Sequence, residues 1–286
     1  VHLSAPLSHA KADIVRTLRH IFQVPGCDVP LDLPALEIAF LERPDLDPSH
    51  YLELMDGWAI ELKQSGIEDS QGYGFLGEFH RYFFEELRFR GNTENYYSPR
   101  NSFLNEVLDC RKGIPITLSV VYMELARRLG RKVHGISFPG HFLVRVGDGD
   151  DGCYVDVFHQ GRLMDKADCI RMGLEMTGID YSDRPSVLAA VDPRAILLRM
   201  LHNLRGIYLT RRSNRKLLAV QDLLLLACPE DADEYFSRAM VKMNLHLHAS
   251  AERDLLRFLQ LRPKSEMRQE VERQLHLVRL MKAQMN

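Results

Sequence analysis

Cysteine is scarce in this 286-residue chain: there are five, an odd number, and none stands in a Cys-x-x-Cys pair. Cys27, Cys110, Cys153, Cys169 and Cys228 are widely scattered. That scatter excludes a zinc ribbon and argues against a secreted disulfide scaffold, leaving reduced, buried small apolar residues as the expectation. Long apolar runs are missing too. The longest nearly uncharged stretches, residues 114–123 and 223–228, fall well short of the roughly 18 residues a membrane-spanning helix needs. A basic surplus is also absent, because 37 Lys+Arg against 39 Asp+Glu leave a formal net charge of −2. That balance argues against phosphate neutralisation, and so against direct nucleic-acid binding as the main role. The opening Val1-His2-Leu3-Ser4 has neither the basic start nor the apolar core of a signal peptide. A cytoplasmic protein without a membrane partner is expected.

The residues that are present give the composition of an ordinary globular protein, 45% hydrophobic and 27% charged, in enough chain for one large domain or two modest ones. Its character changes twice. Up to about residue 110 apolar residues recur at helical spacing, as in Leu52, Met55, Trp58, Ala59 and Leu62, then Phe79, Tyr82, Phe83 and Leu87. Residues 92–101 are polar and loop-like, and Ser102 is placed to cap the next helix. Gly113-Ile114-Pro115 then leads into an apolar helix over 116–129, stopped by Gly130. Residues 133–138, 141–146 and 153–158 read as strands, with 147–152 as the turn between the last two. A helix followed by a small antiparallel sheet is α+β in type.

From about Pro193 the pattern is helical to the end, through segments at 196–208, 217–227, 235–247, 251–261 and 267–281. Pro229 and Pro263 mark similar helix ends 34 residues apart, the tetratricopeptide period. Asp222 and Asp254, taken as equivalent positions, are 32 apart, so the repeat is imperfect. Two repeats do not bury a solenoid core unaided, and the last helix is expected to cap them. The first face of this segment is expected to pack on the middle domain. The domains expected are 1–193, a helical N-terminal region plus a core over about 100–193, and 194–286, an all-α tetratricopeptide-like segment.

Four motifs are set aside. Gly147-x-Gly149-x-x-Gly152 fits a dinucleotide fingerprint only as a string, since no helix follows and Asp148, Asp150 and Asp151 would repel a pyrophosphate. Ser137 sits in a near miss for a nucleophile elbow, with Pro139 where glycine is needed. His246 and His248, two apart on an expected helix, fall on different faces and share no metal. The basic run at 211–216 reads as a solvated helix end. No metal and no cofactor is assigned.

His141 and Asp156 remain. With 147–150 as the hairpin loop, Val146 faces Asp151 and counting outward sets His141 opposite Asp156, with Cβ atoms about 5 Å apart. A carboxylate beside an imidazole fixes its tautomer, which is the second half of a nucleophile–His–Asp triad. The alternative is a His–Asp pair bonded for structure alone, a strut.

Asn101-Ser102-Phe103-Leu104-Asn105-Glu106-Val107-Leu108, Arg111-Lys112-Gly113-Ile114-Pro115-Ile116-Thr117-Leu118-Ser119, Phe138-Pro139-Gly140-His141-Phe142-Leu143-Val144-Arg145 and Asp156-Val157-Phe158 closely resemble the bacterial SirB family. The likeness runs upstream through Pro44-Asp45-Leu46-Asp47 and downstream through both proline-marked helix ends. Members of that family are transglutaminase-like proteins with a C-terminal tetratricopeptide segment. The resemblance implies a papain-like/transglutaminase-like core, with a nucleophile at a helix N-terminus and His and Asp on neighbouring strands. Active relatives begin that helix Gly-x-Cys and use the thiolate for acyl transfer or amide hydrolysis. Here the position is Pro115, which suits a helix start but carries no nucleophile. Thr117, Ser119, Cys110 and Cys153 are poor substitutes by position.

The expectation is therefore a non-catalytic transglutaminase-like protein that binds a protein or peptide partner through its C-terminal helices, with an indirect regulatory role. The remnant dyad is His141 and Asp156, Pro115 replaces the nucleophile, and Asn101, Arg111 and Thr117 are candidate ligand contacts. The alternative is a hydrolase or acyltransferase in which His141 and Asp156 work with a non-standard nucleophile.

Overall fold

The computed structural model describes residues 17–18, 20–24, 29–70, 72–147 and 152–284. Internal packing divides them into two units, one centred on Val24–Met200 and the other made of Leu18–Gln23 and Leu201–Asn286. The chain is mostly helical, with one small antiparallel sheet.

In the first unit, α1 (Asp32–Glu37) runs into a 3₁₀ turn, Ile38–Leu41. Asp47 then caps α2 (Pro48–Gln64), its carboxylate accepting from the Ser49 N–H at 3.0 Å. The next helix changes pitch. α3 (Gly72–His80) passes into a π-helical stretch, Arg81–Glu86, in which Leu87 N–H donates to Tyr82 O at 2.8 Å. Phe79, Phe83, Phe89 and Tyr122 meet there in stacked and edge-to-face pairs, 4.6–6.1 Å between centroids.

Strand β1 (Arg90–Gly91) pairs in parallel with β2 (Lys112–Gly113), and α4 (Leu104–Cys110) lies between them in sequence. Ser102 does not cap α4, contrary to its sequence context. Phe103 is the capping residue, while Ser102 ends a 3₁₀ turn with its hydroxyl buried and without a hydrogen-bond partner among the described residues. α5 (Pro115–Arg128) starts on its proline and is buried on every residue from Pro115 to Ala126. A helix that is dry all round is a core element, and this one is the pillar of the unit. Its one buried acid, Glu124, accepts from Leu31 N–H at 2.7 Å and Arg127 Nε at 2.8 Å. Arg128 links it to the buried Asp32.

The sheet comes next: β3 (Val133–Ile136), β4 (Leu143–Val146), β5 (Cys153–Asp156) and β6 (Arg162–Met164), with β7 (Ala190–Val191) added beside β3. The order is β6-β5-β4-β3-β7 and every neighbour is antiparallel. Between β6 and β7, α6 (Lys166–Thr177) packs closely on this layer. A Cβ at Gly173 would lie 2.8 Å from the Phe138 ring. Ile136, Phe138, Leu143, Tyr154, Met164 and Cys169 form the core there.

The hairpin register differs from the sequence count. Val146 pairs with Cys153 and Val144 with Val155, so the strands are offset by two residues from the expected pairing. Asp156 falls opposite Leu143, and His141 lies before the strand, in a turn. An even offset keeps each side chain on its face, so the two residues stay on the same side; an odd one would have parted them. Residues 148–151 of the expected turn lie outside the described residues.

α7 (Pro193–Thr210) leads out of the first unit. The second unit contains α8 (Asn214–Ala227), α9 (Ala232–Asn244), α10 (His248–Leu261) and α11 (Arg268–Gln284). The residues before Pro229 and Pro263 adopt nearly the same backbone, Cys228 at φ −126°, ψ 72° and Arg262 at φ −130°, ψ 69°. That is the restriction a following proline imposes. Alanines 232, 239 and 251 let the helices close on Leu255, Phe258, Val271 and Val278. Asp222 and Asp254 converge on one side chain. Both bind Arg238, Asp222 at 2.7 Å and Asp254 through two bonds of 2.7 and 2.8 Å. His246 is in the turn between α9 and α10 at φ 58°, not on a helix, and its ring lies 5.9 Å from that of His248. Of the basic run 211–216, Arg211 and Arg212 follow the end of α7, whereas Arg215 and Lys216 lie in the first turn of α8 and not at a helix C-terminus.

Candidate functional site

The site grows out of the sheet's end. Phe138-Pro139-Gly140 turns the chain between β3 and β4, with Gly140 at φ +73° and the His141 N–H bonded to Phe138 O at 3.1 Å. This places the His141 ring beside the last residue of β5. His141 Nε2 lies 2.9 Å from Asp156 Oδ1, and the two residues are 4% and 1% exposed. A polar pair this deep is stable only because each satisfies the other.

A third residue completes the group. His159 Nδ1 lies 2.7 Å from the other oxygen, Asp156 Oδ2, and the His159 backbone N–H reaches Oδ1 at 3.2 Å. The two imidazoles stand nearly parallel, centroids 5.7 Å apart. Burial pushes the Asp156 carboxyl up, but the hydrogen bonds and charge of His141 and His159 outweigh it and hold Asp156 below the usual carboxylate range. The carboxylate is therefore ionised, and it orients two rings.

Arg199, on α7, holds the turn from behind. One terminal nitrogen donates to Ser137 Oγ at 2.6 Å and Phe138 O at 3.1 Å, and the other to His141 O at 2.7 Å. Ser137, the near miss for an elbow nucleophile, is thus an anchor for the guanidinium. Sequence reasoning missed both Arg199 and His159. His159 had a signal, since it follows Asp156 by three residues across a turn. Arg199 had none, being 58 residues from His141.

The start of α5 carries no nucleophile. Pro115 opens the helix, and the fully buried Thr117 hydroxyl donates to Asn101 O at 2.7 Å while accepting from Ile114 N–H at 3.2 Å. Asn101 in turn donates through Nδ2 to Asn95 O and Tyr96 O and accepts from Asn92. Thr117 and Asn101 are therefore brought together, as fasteners of the 92–101 loop. From that loop Tyr96 stands edge-on to Phe158, and Phe158 edge-on to His141. Gly91 makes room for Phe158: a Cβ there would sit 2.7 Å from its ring. Arg111 is elsewhere, its guanidinium 4.3 Å from the Trp58 ring centre and 5.1 Å from that of Phe89.

Cys110 is the exposed last residue of α4, burial pushes the Cys153 thiol up, and burial pushes Cys169 up to about 12.

The stretch of chain that holds the His141–Asp156 pair is matched by a family model. Residues 49–202 fit the transglutaminase-like superfamily. The chain belongs to that superfamily. Residues 204–276 fit the tetratricopeptide repeat. Among whole proteins, the chain is 35% identical to a UPF0162 protein of Xylella fastidiosa over 239 residues, 82% of this chain and 85% of that one. It is 31% identical to a UPF0162 protein of Vibrio cholerae over 183 residues, 64% of this chain and 67% of the relative. Human F-box only protein 21 is 32% identical over 154 residues, 51% of this chain but 22% of that longer protein. No solved structure matches the chain. Among the described residues no helix is long and apolar enough to cross a membrane.

Proposed function

We propose that this chain is a non-catalytic transglutaminase-like protein of the SirB type, a cytoplasmic adaptor that holds a protein or peptide partner on its C-terminal helical repeats. The observation that carries this reading is the start of α5. The helix opens on Pro115, where the resemblance expects the nucleophile, and the only hydroxyl in the first turn, on Thr117, is buried and committed to Asn101 O. Without a nucleophile the His141–Asp156 pair has nothing to deprotonate, and thioester chemistry has no first step. The tetratricopeptide match supports the binding role, because such helices present peptide- and protein-binding faces. Any regulatory effect is indirect on this reading. With a net charge of −2, nothing favours direct phosphate binding.

The test uses the full chain. Partners captured from a bacterial lysate are cross-linked and mapped by mass spectrometry for the wild type and His141→Ala. Cross-links on α8 to α11, unchanged by His141→Ala, are expected. Cross-links confined to the surroundings of His141 and lost in that variant would overturn the adaptor reading.

The second reading, a hydrolase or acyltransferase with a non-standard nucleophile, is favoured by one observation: the dyad is intact at 2.9 Å and buried. It requires turnover of an amide or acyl substrate that His141→Ala abolishes while its melting temperature stays near that of the wild type.

A further inference from the structure

The third member of the carboxylate group, His159, has no part in either reading, yet its ring is bonded to the same carboxylate as His141. One nitrogen of each imidazole and an oxygen of Asp156 lie within 4.8 Å of one another. We propose that His141, Asp156 and His159 form a binding site for a divalent transition metal of the zinc type, with an open coordination position.

Three features support it. First, the donors are two imidazole nitrogens and one carboxylate oxygen, a set that suits zinc, cobalt or nickel and disfavours magnesium and calcium, which take oxygen alone. Second, the atoms are already gathered. Metal bonds of about 2.0–2.2 Å place ligand atoms roughly 3–4 Å apart. The nitrogen–oxygen separations here are 2.9 Å to Oδ1 and 2.7 Å to Oδ2, and one donor atom from each residue lies within 4.8 Å of the other two, so a small rearrangement of the rings brings them into range. Third, the support is asymmetric in a useful way. Asp156 and His141 are buried and preset, His141 by the Arg199 clamp on its carbonyl, whereas the His159 side chain is 60% exposed and can swing to admit an ion.

The carboxylate is the telling member. Clusters of exposed acids are common at protein surfaces, but Asp156 is 1% exposed and both of its oxygens face imidazole nitrogens. In the metal-free state two N–H groups satisfy it. A cation would displace those hydrogens and meet the same negative charge, so binding releases protons and weakens as pH falls. Three protein ligands leave a fourth position for water or an oxygen of a ligand, as in open zinc sites.

The experiment is a titration of the full, chelator-treated chain with Co²⁺, read by its visible d–d absorption, then competed with Zn²⁺. The wild type is expected to bind one equivalent with four- or five-coordinate intensity, to lose the signal on adding Zn²⁺, and to keep it in excess Mg²⁺. His159→Ala changes a side chain that is mostly in solvent but removes one of the two ring donors to Asp156, so the metal-free variant is expected to stay folded with a somewhat lower melting temperature. It is expected to weaken Co²⁺ binding at least tenfold, as Asp156→Asn also would. No saturable Co²⁺ signal in the wild type, or a signal that survives His159→Ala unchanged, overturns the proposal. Neither outcome bears on the adaptor reading, which is judged by where the partner cross-links.

Discussion

The Arg199 guanidinium donates to the backbone carbonyl of His141 at 2.7 Å, and its other terminal nitrogen reaches Ser137 and Phe138 in the same turn. A planar fork thus ties both ends of the turn to one helix. Arg199→Ala is expected to lose about 2 kcal/mol of stability, the scale of charge-assisted hydrogen bonds left unmade. Arg199→Lys recovers only part of it, because one ammonium cannot span the three acceptors. Urea denaturation of the three proteins checks this; equal midpoints would show that the clamp does not hold the turn.

Asp156 links stability to acid. Its native carboxyl titrates below the ordinary value, so its contribution is present in full above about pH 4 and drains away as pH falls through the native value. Asp156→Asn is expected to cost about 2 kcal/mol at neutral pH. The gap from wild type should narrow below pH 4. Denaturation midpoints collected from pH 7 to pH 2.5 give the answer, and a gap that stays constant would remove the linkage.

His80 works over a different range. Burial pushes its imidazole down to about 4, and its Nε2 lies 2.8 Å from the Tyr122 phenol oxygen, whose own ionisation burial pushes well up. The unfolded chain therefore takes up a proton near pH 6.5 that the native chain refuses until about pH 4. Stability should rise with pH between those limits and lose that slope in His80→Gln. A proton NMR titration of the His80 ring gives the direct check, with a midpoint near 6.5 counting against it.

From α9, Arg238 holds Asp222 on α8 and Asp254 on α10, and Lys242 Nζ also reaches Asp254 at 2.8 Å. Arg238→Leu leaves the buried Asp254 with one partner in place of two, at an expected cost of about 2–3 kcal/mol. Adding Asp254→Asn should restore part of that loss, since the uncompensated charge goes with it. Additive losses in the double variant would mean that the two side chains act independently.

Much of the first unit is legible in the sequence because its signals are local. Gly113, Pro115 and Gly130 bracket α5 almost to the residue, and alternation marks β4 and β5. Counting along the hairpin puts His141 and Asp156 on one face, as they are, but with the wrong partners across it. Alternation fixes the face of a strand, whereas the register depends on the loop between. β7 and the β1–β2 pair are two residues long, with no room for a pattern. They exist because a neighbour offers hydrogen bonds, and no window of sequence contains that neighbour. The same holds for Arg199, which bonds mainly to backbone groups and so leaves no residue type to look for.

The second unit has a consequence for synthesis. Leu18, Ile21 and Phe22 are buried, and they belong with residues that begin at Leu201. A ribosome making roughly 5–20 residues per second must therefore work for on the order of ten seconds or more before those side chains have anything to pack against. Through that interval the earliest buried residues of the described chain stay exposed to whatever chaperone or stray surface arrives first.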